Sequence, residues 1–140
     1  MKRIITLLIT VVVSVITVMP CFALNTEQNN EIIAVYNLYT DMVAAKAAIN
    51  SSGSVYYSCQ VSGKSNCTKI SAYAYLQEYR NGLWTNVDCV TKVVDGNTLF
   101  VSDTYKGASG KKYRCEVHVY SYCGSKYEYI ETTSSTVKKT

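Results

Sequence analysis

Two stretches decide the fold: YYSCQVSG at residues 56–63 and YRCEVHVY at residues 113–120. In each, apolar and polar side chains alternate, which is the pattern of a strand with one buried face. Each stretch also begins a pair of cysteines that lie eight residues apart. If the two strands run alongside each other in the same direction, equal offsets let both pairs meet, Cys59 with Cys115 and Cys67 with Cys123.

Further strand-like segments follow along the chain. Short β-rich runs at a spacing of about 8–12 residues, separated by Gly, Asn and Ser turns, are typical of an all-β sandwich or barrel. The Asn81-Gly82 dipeptide predicts a tight hairpin turn. No alternation of strands with helices is present. We predict a single antiparallel β-sandwich of about seven strands, at 41–50, 54–62, 68–79, 83–94, 98–105, 111–122 and 126–133.

The N-terminus predicts export. Residues 1–23 have the pattern of a cleavable signal peptide, with Lys2 and Arg3 before an apolar run and Ala23 at the cleavage position. An uncleaved membrane anchor is the alternative, but the run is shorter than the ~18–20 residues that a span needs. We predict a flexible segment at 24–40, the β-sandwich domain at 41–133 and a disordered tail at 134–140. The expected location is extracellular, with no membrane contact after cleavage.

Composition argues against several functions. The formal net charge is +4, it falls when Lys2 and Arg3 are removed with the signal, and no basic cluster remains, so no nucleic-acid partner is expected. The chain has six cysteines, one of them in the signal peptide, but one histidine and no C-x2-C spacing. In an exported protein this favours disulfides over zinc. We predict no metal and no cofactor.

The cysteine pattern resembles that of immunoglobulin-like and fibronectin-type sandwiches. In such folds the second and sixth strands lie in opposite sheets, and an inward cysteine on each bridges them. The resemblance implies that Cys59 and Cys115 are these two residues and that Tyr113 forms a tyrosine corner, while Cys67 and Cys123 join two loops. The usual third-strand tryptophan is missing. Pairing of sequence neighbours is the alternative, but residues eight apart on one extended strand are separated by ~26 Å.

A second resemblance covers most of the chain after residue 23. YLQEY at 75–79, NGLWT at 81–85, the stretch 110–119, GSK at 124–126 and SST at 134–136 are similar to small secreted proteins of Gram-positive bacteria. Those proteins form a family of unknown function. The resemblance implies an exported bacterial β-domain and brings no catalytic residues with it.

Tyrosine is the remaining outlier, with 13 copies. Strand parity places Tyr73, Tyr75 and Tyr79 on one outward face, and Arg114, His118, Tyr120 and Tyr122 on the outward face of a strand expected to lie beside it. Tyr is amphipathic and stiff, so this face suits binding of a cell-wall glycan or a protein. The alternative is that the rings only pair across strands and stabilise the sheet.

Cys89 is the cysteine left over. A small buried residue is the simple interpretation, and a disulfide to another molecule is the alternative. A dyad with His118 is conceivable, but no nucleophile signature surrounds Cys89, so we expect no enzyme. The sequence predicts a non-catalytic binding module at the cell surface or in the medium, and the alternative function is a bacteriocin-like or toxin-like effector.

Overall fold

A computed structural model describes the backbone of residues 31–34 and the whole of residues 38–140. The predicted signal peptide lies outside the described residues, as do 24–30 and 35–37 of the predicted flexible segment. The part of the chain that the structure describes contains no helix with the length and hydropathy to cross a membrane.

The described residues fold into two antiparallel sheets. The strands are β1 (Glu31–Ala34), β2 (Thr40–Ile49), β3 (Val55–Gly63), β4 (Lys69–Arg80), β5 (Leu83–Asp95), β6 (Thr98–Tyr105), β7 (Lys112–Cys123), β8 (Lys126–Thr133) and β9 (Val137–Lys138). One sheet has the order β1-β2-β3-β6, and the other has the order β5-β4-β7-β8 with β9 also paired to β7. The predicted immunoglobulin-like β-sandwich is confirmed.

Alternation along each strand builds the core between the sheets. In β3 the inward residues Val55, Tyr57 and Val61 are fully buried, and in β7 Val117 and Val119 are buried in the same way. Burial of each such side chain contributes about 1.5–3 kcal/mol. The core is therefore formed by the two stretches that carry the cysteine pairs, together with their neighbours.

The second and sixth predicted strands correspond to β3 and β7, which lie in opposite sheets. Cys59 and Cys115 are both fully buried on the inner surfaces of these strands. The Cys115 Sγ lies 3.7 Å from the carbonyl oxygen of Ser58, the residue before Cys59. The two cysteines are thus neighbours across the core, as the equal offsets predict.

Tyr113 forms the predicted tyrosine corner. Its hydroxyl accepts a hydrogen bond from the backbone N–H of Ala108 at 2.8 Å and donates one to Glu78 Oε2 at 2.9 Å. A hydrogen bond from Arg80 is the main cause that keeps the pKa of Glu78 below its ordinary value, so this carboxylate stays ionised and accepts the phenol proton. One hydroxyl therefore joins the loop before β7 to β4.

The turn between β4 and β5 also follows the prediction. Asn81 and Gly82 have φ values of 50° and 85°, the left-handed conformations of a two-residue type I′ hairpin turn. In this hairpin Arg80 pairs with Leu83. The turn fixes the register that brings the outward side chains of β4 and β5 together.

The structure differs from the sequence prediction at the C-terminal end. Residues 134–140 were expected to be disordered, but Val137 is buried and pairs with Tyr113, within the short strand β9. The hydroxyl of Ser134 accepts a hydrogen bond from the backbone N–H of Cys115 at 2.9 Å. A single apolar residue in a Ser/Thr/Lys-rich segment is enough here, because the ring of Tyr113 offers it a surface.

Candidate functional site

The outward side of the five-stranded sheet carries a group of aromatic side chains that we call the tyrosine face. The intervening residues Ala72, Ala74, Val117 and Val119 are buried, so their neighbours on the same strands point away from the core. The tyrosine face consists of Tyr73 and Tyr75 on β4, His118, Tyr120 and Tyr122 on β7, and Tyr127 and Tyr129 on β8.

Tyr120 lies at the centre of these rings. Its ring centroid is 5.0 Å from that of Tyr129, 5.8 Å from that of Tyr127 and 6.3 Å from that of Tyr73. The Tyr75 ring meets the His118 imidazole edge-on at 5.2 Å. Tilted and edge-on pairs of this kind add about 0.5–1.5 kcal/mol each beyond burial. The rings therefore hold one another in fixed positions.

A shallow hollow of about 240 Å³ opens on this face. It is lined by Ser71, Tyr73, Tyr75, His118, Tyr120 and Tyr122. Exposure stays considerable around it, at 36% for Tyr73 and 43% for Tyr129. Phenol hydroxyls, a serine and an imidazole thus surround apolar ring surface, a combination that can hold a ligand with both polar and apolar faces.

Arg114 and Tyr79 lie at one end of the same sheet. The Arg114 guanidinium stacks 4.5 Å over the Trp84 ring. The centroid of the Tyr79 ring lies 5.1 Å from that of the same Trp84 ring. A second hollow, of about 350 Å³, is bounded here by Tyr79, Trp84, Lys112, Thr136 and Lys138. Arg114 also donates a hydrogen bond to Gln77 Oε1 at 2.7 Å, which fixes the guanidinium over the indole.

His118 belongs to a chain of short polar contacts at the β8 side of the tyrosine face. Its Nε2 lies 3.1 Å from Glu116 Oε1, and its Nδ1 lies 2.9 Å from the Tyr129 hydroxyl. That hydroxyl donates to Glu131 Oε2 at 3.0 Å. Burial, followed by the bond to Glu131, raises the pKa of Tyr129 to about 12, so the phenol keeps its proton.

The cysteines predicted to pair lie near one another, but no bridge is formed. All five described cysteines are free thiols. Burial raises the pKa of Cys59 to about 12, and burial and then the nearby Cys59 raise that of Cys115 still further. Burial also raises the pKa of Cys67, and the neighbouring Cys123 adds to this effect. The raised pKa values of Cys59, Cys67 and Cys115 keep these three thiols protonated at neutral pH.

Cys89 lies on the edge strand β5, with its side chain exposed. It pairs with Tyr75, whereas His118 pairs with Tyr73 on the far side of β4. Two strand spacings separate β5 from β7, about 10 Å, so the two residues do not form a dyad. Partial burial and then Asp88 raise the pKa of Cys89, which also disfavours a thiolate nucleophile.

The structure places the six residues of the predicted face on one side of one sheet. It brings Tyr73, Tyr75, His118 and Tyr120 around the first hollow. Tyr79 lines the second hollow, and Arg114 stacks on Trp84, which also lines it. Whether this face binds a ligand stays a prediction.

Sequence reasoning missed the partners of His118, which are Glu116, Tyr129 and Glu131. The turn after β7 contains the information that identifies Glu131 as the residue opposite His118. A two-residue turn at Gly124-Ser125 makes Cys123 and Lys126 partners, and counting back along both strands places Glu131 opposite His118.

No family model, no curated protein and no solved structure matches the chain.

Proposed function

We propose that the protein is an exported, non-catalytic module that binds a cell-wall polysaccharide through the tyrosine face. The observation that carries the proposal is the row of exposed, mutually packed rings around a shallow hollow with a polar lining. Rings held in place before binding lose little conformational freedom when a ligand settles on them.

A glycan fits this surface better than a highly charged ligand does. Tyrosine offers an apolar ring to the C–H face of a sugar and a hydroxyl to its polar rim. Around the hollow, the Ser71 hydroxyl supplies a further hydrogen-bonding group. The hollow is open and shallow, as suits a linear chain that lies across a sheet.

Cross-strand pairing of the rings is the competing explanation. If the rings served only to stabilise the sheet, they could be covered by other side chains, or β-branched residues could take their places. Tyr127 is 58% exposed and Tyr129 43% exposed, so considerable aromatic surface faces water. A contiguous exposed aromatic patch favours an interaction site over a purely structural role.

The compartment and the covalent ties form part of the proposal. The signal-like residues 1–23 support export, and the neighbouring buried thiols support disulfides Cys59–Cys115 and Cys67–Cys123 in an oxidising environment. Such ties suit a small domain that must persist outside the cell.

Sedimentation with purified bacterial cell walls tests the binding role. Wild type is expected to co-sediment, whereas Tyr73→Ser combined with Tyr75→Ser abolishes retention because the hollow loses two of its ring walls. The melting temperature should fall by several degrees because two ring pairs are lost, but the variant should still fold, since both side chains face outward. The double variant Tyr73→Phe with Tyr75→Phe keeps the rings and should retain most of the binding.

Tyr56→Ser is the matched control, because Tyr56 lies on β3 in the opposite sheet. It should sediment like wild type. Wild type that stays in the supernatant with every cell-wall preparation would contradict the proposal, as would a Ser double variant that binds normally. Growth inhibition of target bacteria by the purified protein, unaffected by the Ser substitutions, would favour the toxin-like alternative.

A further inference from the structure

The register of β7 and β8 gathers metal-ligating side chains that are scattered in the sequence. Glu116 and His118 are two residues apart on β7 and so share the outward face, and Glu131 is the direct cross-strand partner of His118. One ligand atom from each of these three residues lies within 4.8 Å of the others. The group lies on the β8 side of the tyrosine face, and His118 belongs to both.

The contacts in this group hold His118 in one orientation. Its Nε2 lies 3.1 Å from Glu116 Oε1, and its Nδ1 lies 2.9 Å from the Tyr129 hydroxyl, which in turn lies 3.0 Å from Glu131 Oε2. Both ring nitrogens of the imidazole therefore face oxygen atoms.

The phenol assigns the orientation of the ring hydrogen. Because Tyr129 donates its hydrogen to Glu131, its oxygen accepts one from His118 Nδ1–H. His118 Nε2 and Glu116 Oε1 then face each other at 3.1 Å, and a cation between them, either a metal ion or a proton on Nε2, stabilises this arrangement.

We propose that Glu116, His118 and Glu131 bind a divalent transition metal of the zinc type. His118 Nε2 and one oxygen of each carboxylate are the ligands, and Tyr129 orients both His118 and Glu131 from the second coordination shell. Metal-bound histidines almost always donate their other ring N–H to such a partner. This site does not depend on glycan binding and can fail or succeed separately from it.

The ligand set selects the class of metal. One imidazole with two carboxylates suits Zn²⁺ and its neighbours, whereas Mg²⁺ and Ca²⁺ prefer oxygen ligands alone. Tetrahedral coordination with Zn–ligand distances of about 2.0–2.2 Å places the donor atoms roughly 3.3–3.5 Å apart. His118 Nε2 and Glu116 Oε1, which are 3.1 Å apart, must therefore separate slightly, and an oxygen of Glu131, within 4.8 Å of the other ligand atoms, must come to the same distance. Both glutamates have flexible side chains that can rotate by the required amount. A fourth position remains for water or a ligand, as in other three-ligand zinc sites.

Arg114 is the positive group nearest to these ligands. Its Nη2 lies 3.6 Å from Glu116 Oε2, the oxygen that does not face His118. The guanidinium is held over Trp84, so it balances charge on one oxygen and leaves the other to the metal. We therefore expect moderate affinity.

Calorimetric titration with Zn²⁺ alone tests the site. The protein should carry Cys89→Ser, to exclude the exposed thiol, and no histidine tag. One Zn²⁺ per chain is expected, with binding weakened at least ~100-fold in His118→Ala and about tenfold in Tyr129→Phe, which keeps all three ligands. Ca²⁺ in excess should not displace Zn²⁺. Co²⁺ should give a visible absorption band that His118→Ala loses.

Asp103→Asn, on the opposite sheet, is the matched carboxylate control and should leave the titration unchanged. Equal Zn²⁺ affinity in wild type and His118→Ala would overturn the proposal. So would the absence of saturable binding up to about 1 mM Zn²⁺, because the His118–Glu116 contact would then be an ordinary hydrogen bond or ion pair.

Discussion

Tyr113 connects three parts of the molecule through one side chain. Its ring is fully buried in the core, its hydroxyl joins Ala108 to Glu78, and its backbone pairs with Val137 of β9. The loop residue Gly107 has φ +52° and packs so closely that a Cβ there would come within 3.2 Å of the Tyr113 hydroxyl. A substitution at Tyr113 therefore affects the loop, the sheet and the C-terminal segment together.

Tyr113→Phe should lower the free energy of unfolding by about 1–3 kcal/mol. The change leaves the part-buried Ala108 N–H without its acceptor and removes a donor from Glu78, while the ring still fills its place. Urea denaturation measures the effect. Tyr127→Phe, at a ring that is 58% exposed, is the control and should change stability by less than about 0.5 kcal/mol. Equal stability of Tyr113→Phe and wild type would show that the corner contributes nothing.

Among the elements, the hairpin of β4 and β5 depends most on one local conformation. Gly82 has φ +85°, and an added Cβ would meet nothing within 4 Å. The requirement for glycine is thus one of backbone conformation and not of space. The turn also shapes the surface, because it sets Trp84 opposite Tyr79, and both rings line the second hollow.

Gly82→Val should destabilise the protein by about 1–2 kcal/mol, since a β-branched residue is strained at positive φ. Gly82→Asn should cost less, because Asn adopts this conformation readily. Urea midpoints of the two variants measure the difference. If both variants unfold at the wild-type midpoint, the turn does not limit stability.

The sequence predicted the strands well where side chains alternate clearly. Thr98–Tyr105 and Lys126–Thr133 match the predicted limits, and the others differ by one residue at their ends. The prediction failed for β9, where no periodicity can develop in two residues, and for β1, which lies within the segment 24–40 that was predicted to be flexible but pairs with β2. It also missed Glu131 as a partner of His118, because strand parity gives the face of a residue but only the turn gives its cross-strand neighbour.

At the scale of the whole molecule, four free thiols form two neighbouring pairs, Cys59 with Cys115 and Cys67 with Cys123. Oxidation of each pair would give a disulfide. The first pair is deeply buried, and the second lies near the Gly63 end of β3, where an added Cβ would come within 2.9 Å of Cys67. The equal spacing of eight residues predicted that Cys59 lies near Cys115 and that Cys67 lies near Cys123. The spacing could not predict whether these cysteines are oxidised, because that depends on the redox environment of the protein and not on the register of its strands.

Oxidation should raise the free energy of unfolding by about 4 kcal/mol through a Cys59–Cys115 bridge, because the closed loop is long. Urea unfolding with and without reductant measures this, and peptide mass spectrometry identifies the linked pairs. Cys89→Ser should not change the difference. Linkage of Cys59 to Cys67, or equal stability of oxidised and reduced protein, would contradict the expectation.

Trp84 is the single tryptophan of the chain, and it stands between Tyr79 and the Arg114 guanidinium at the rim of a surface hollow. All indole fluorescence of the protein therefore originates at the second hollow. A molecule that displaces the guanidinium or covers the indole must change the intensity or wavelength of that emission. The chain thus contains a built-in optical reporter, and ligands can be screened in solution without any attached label.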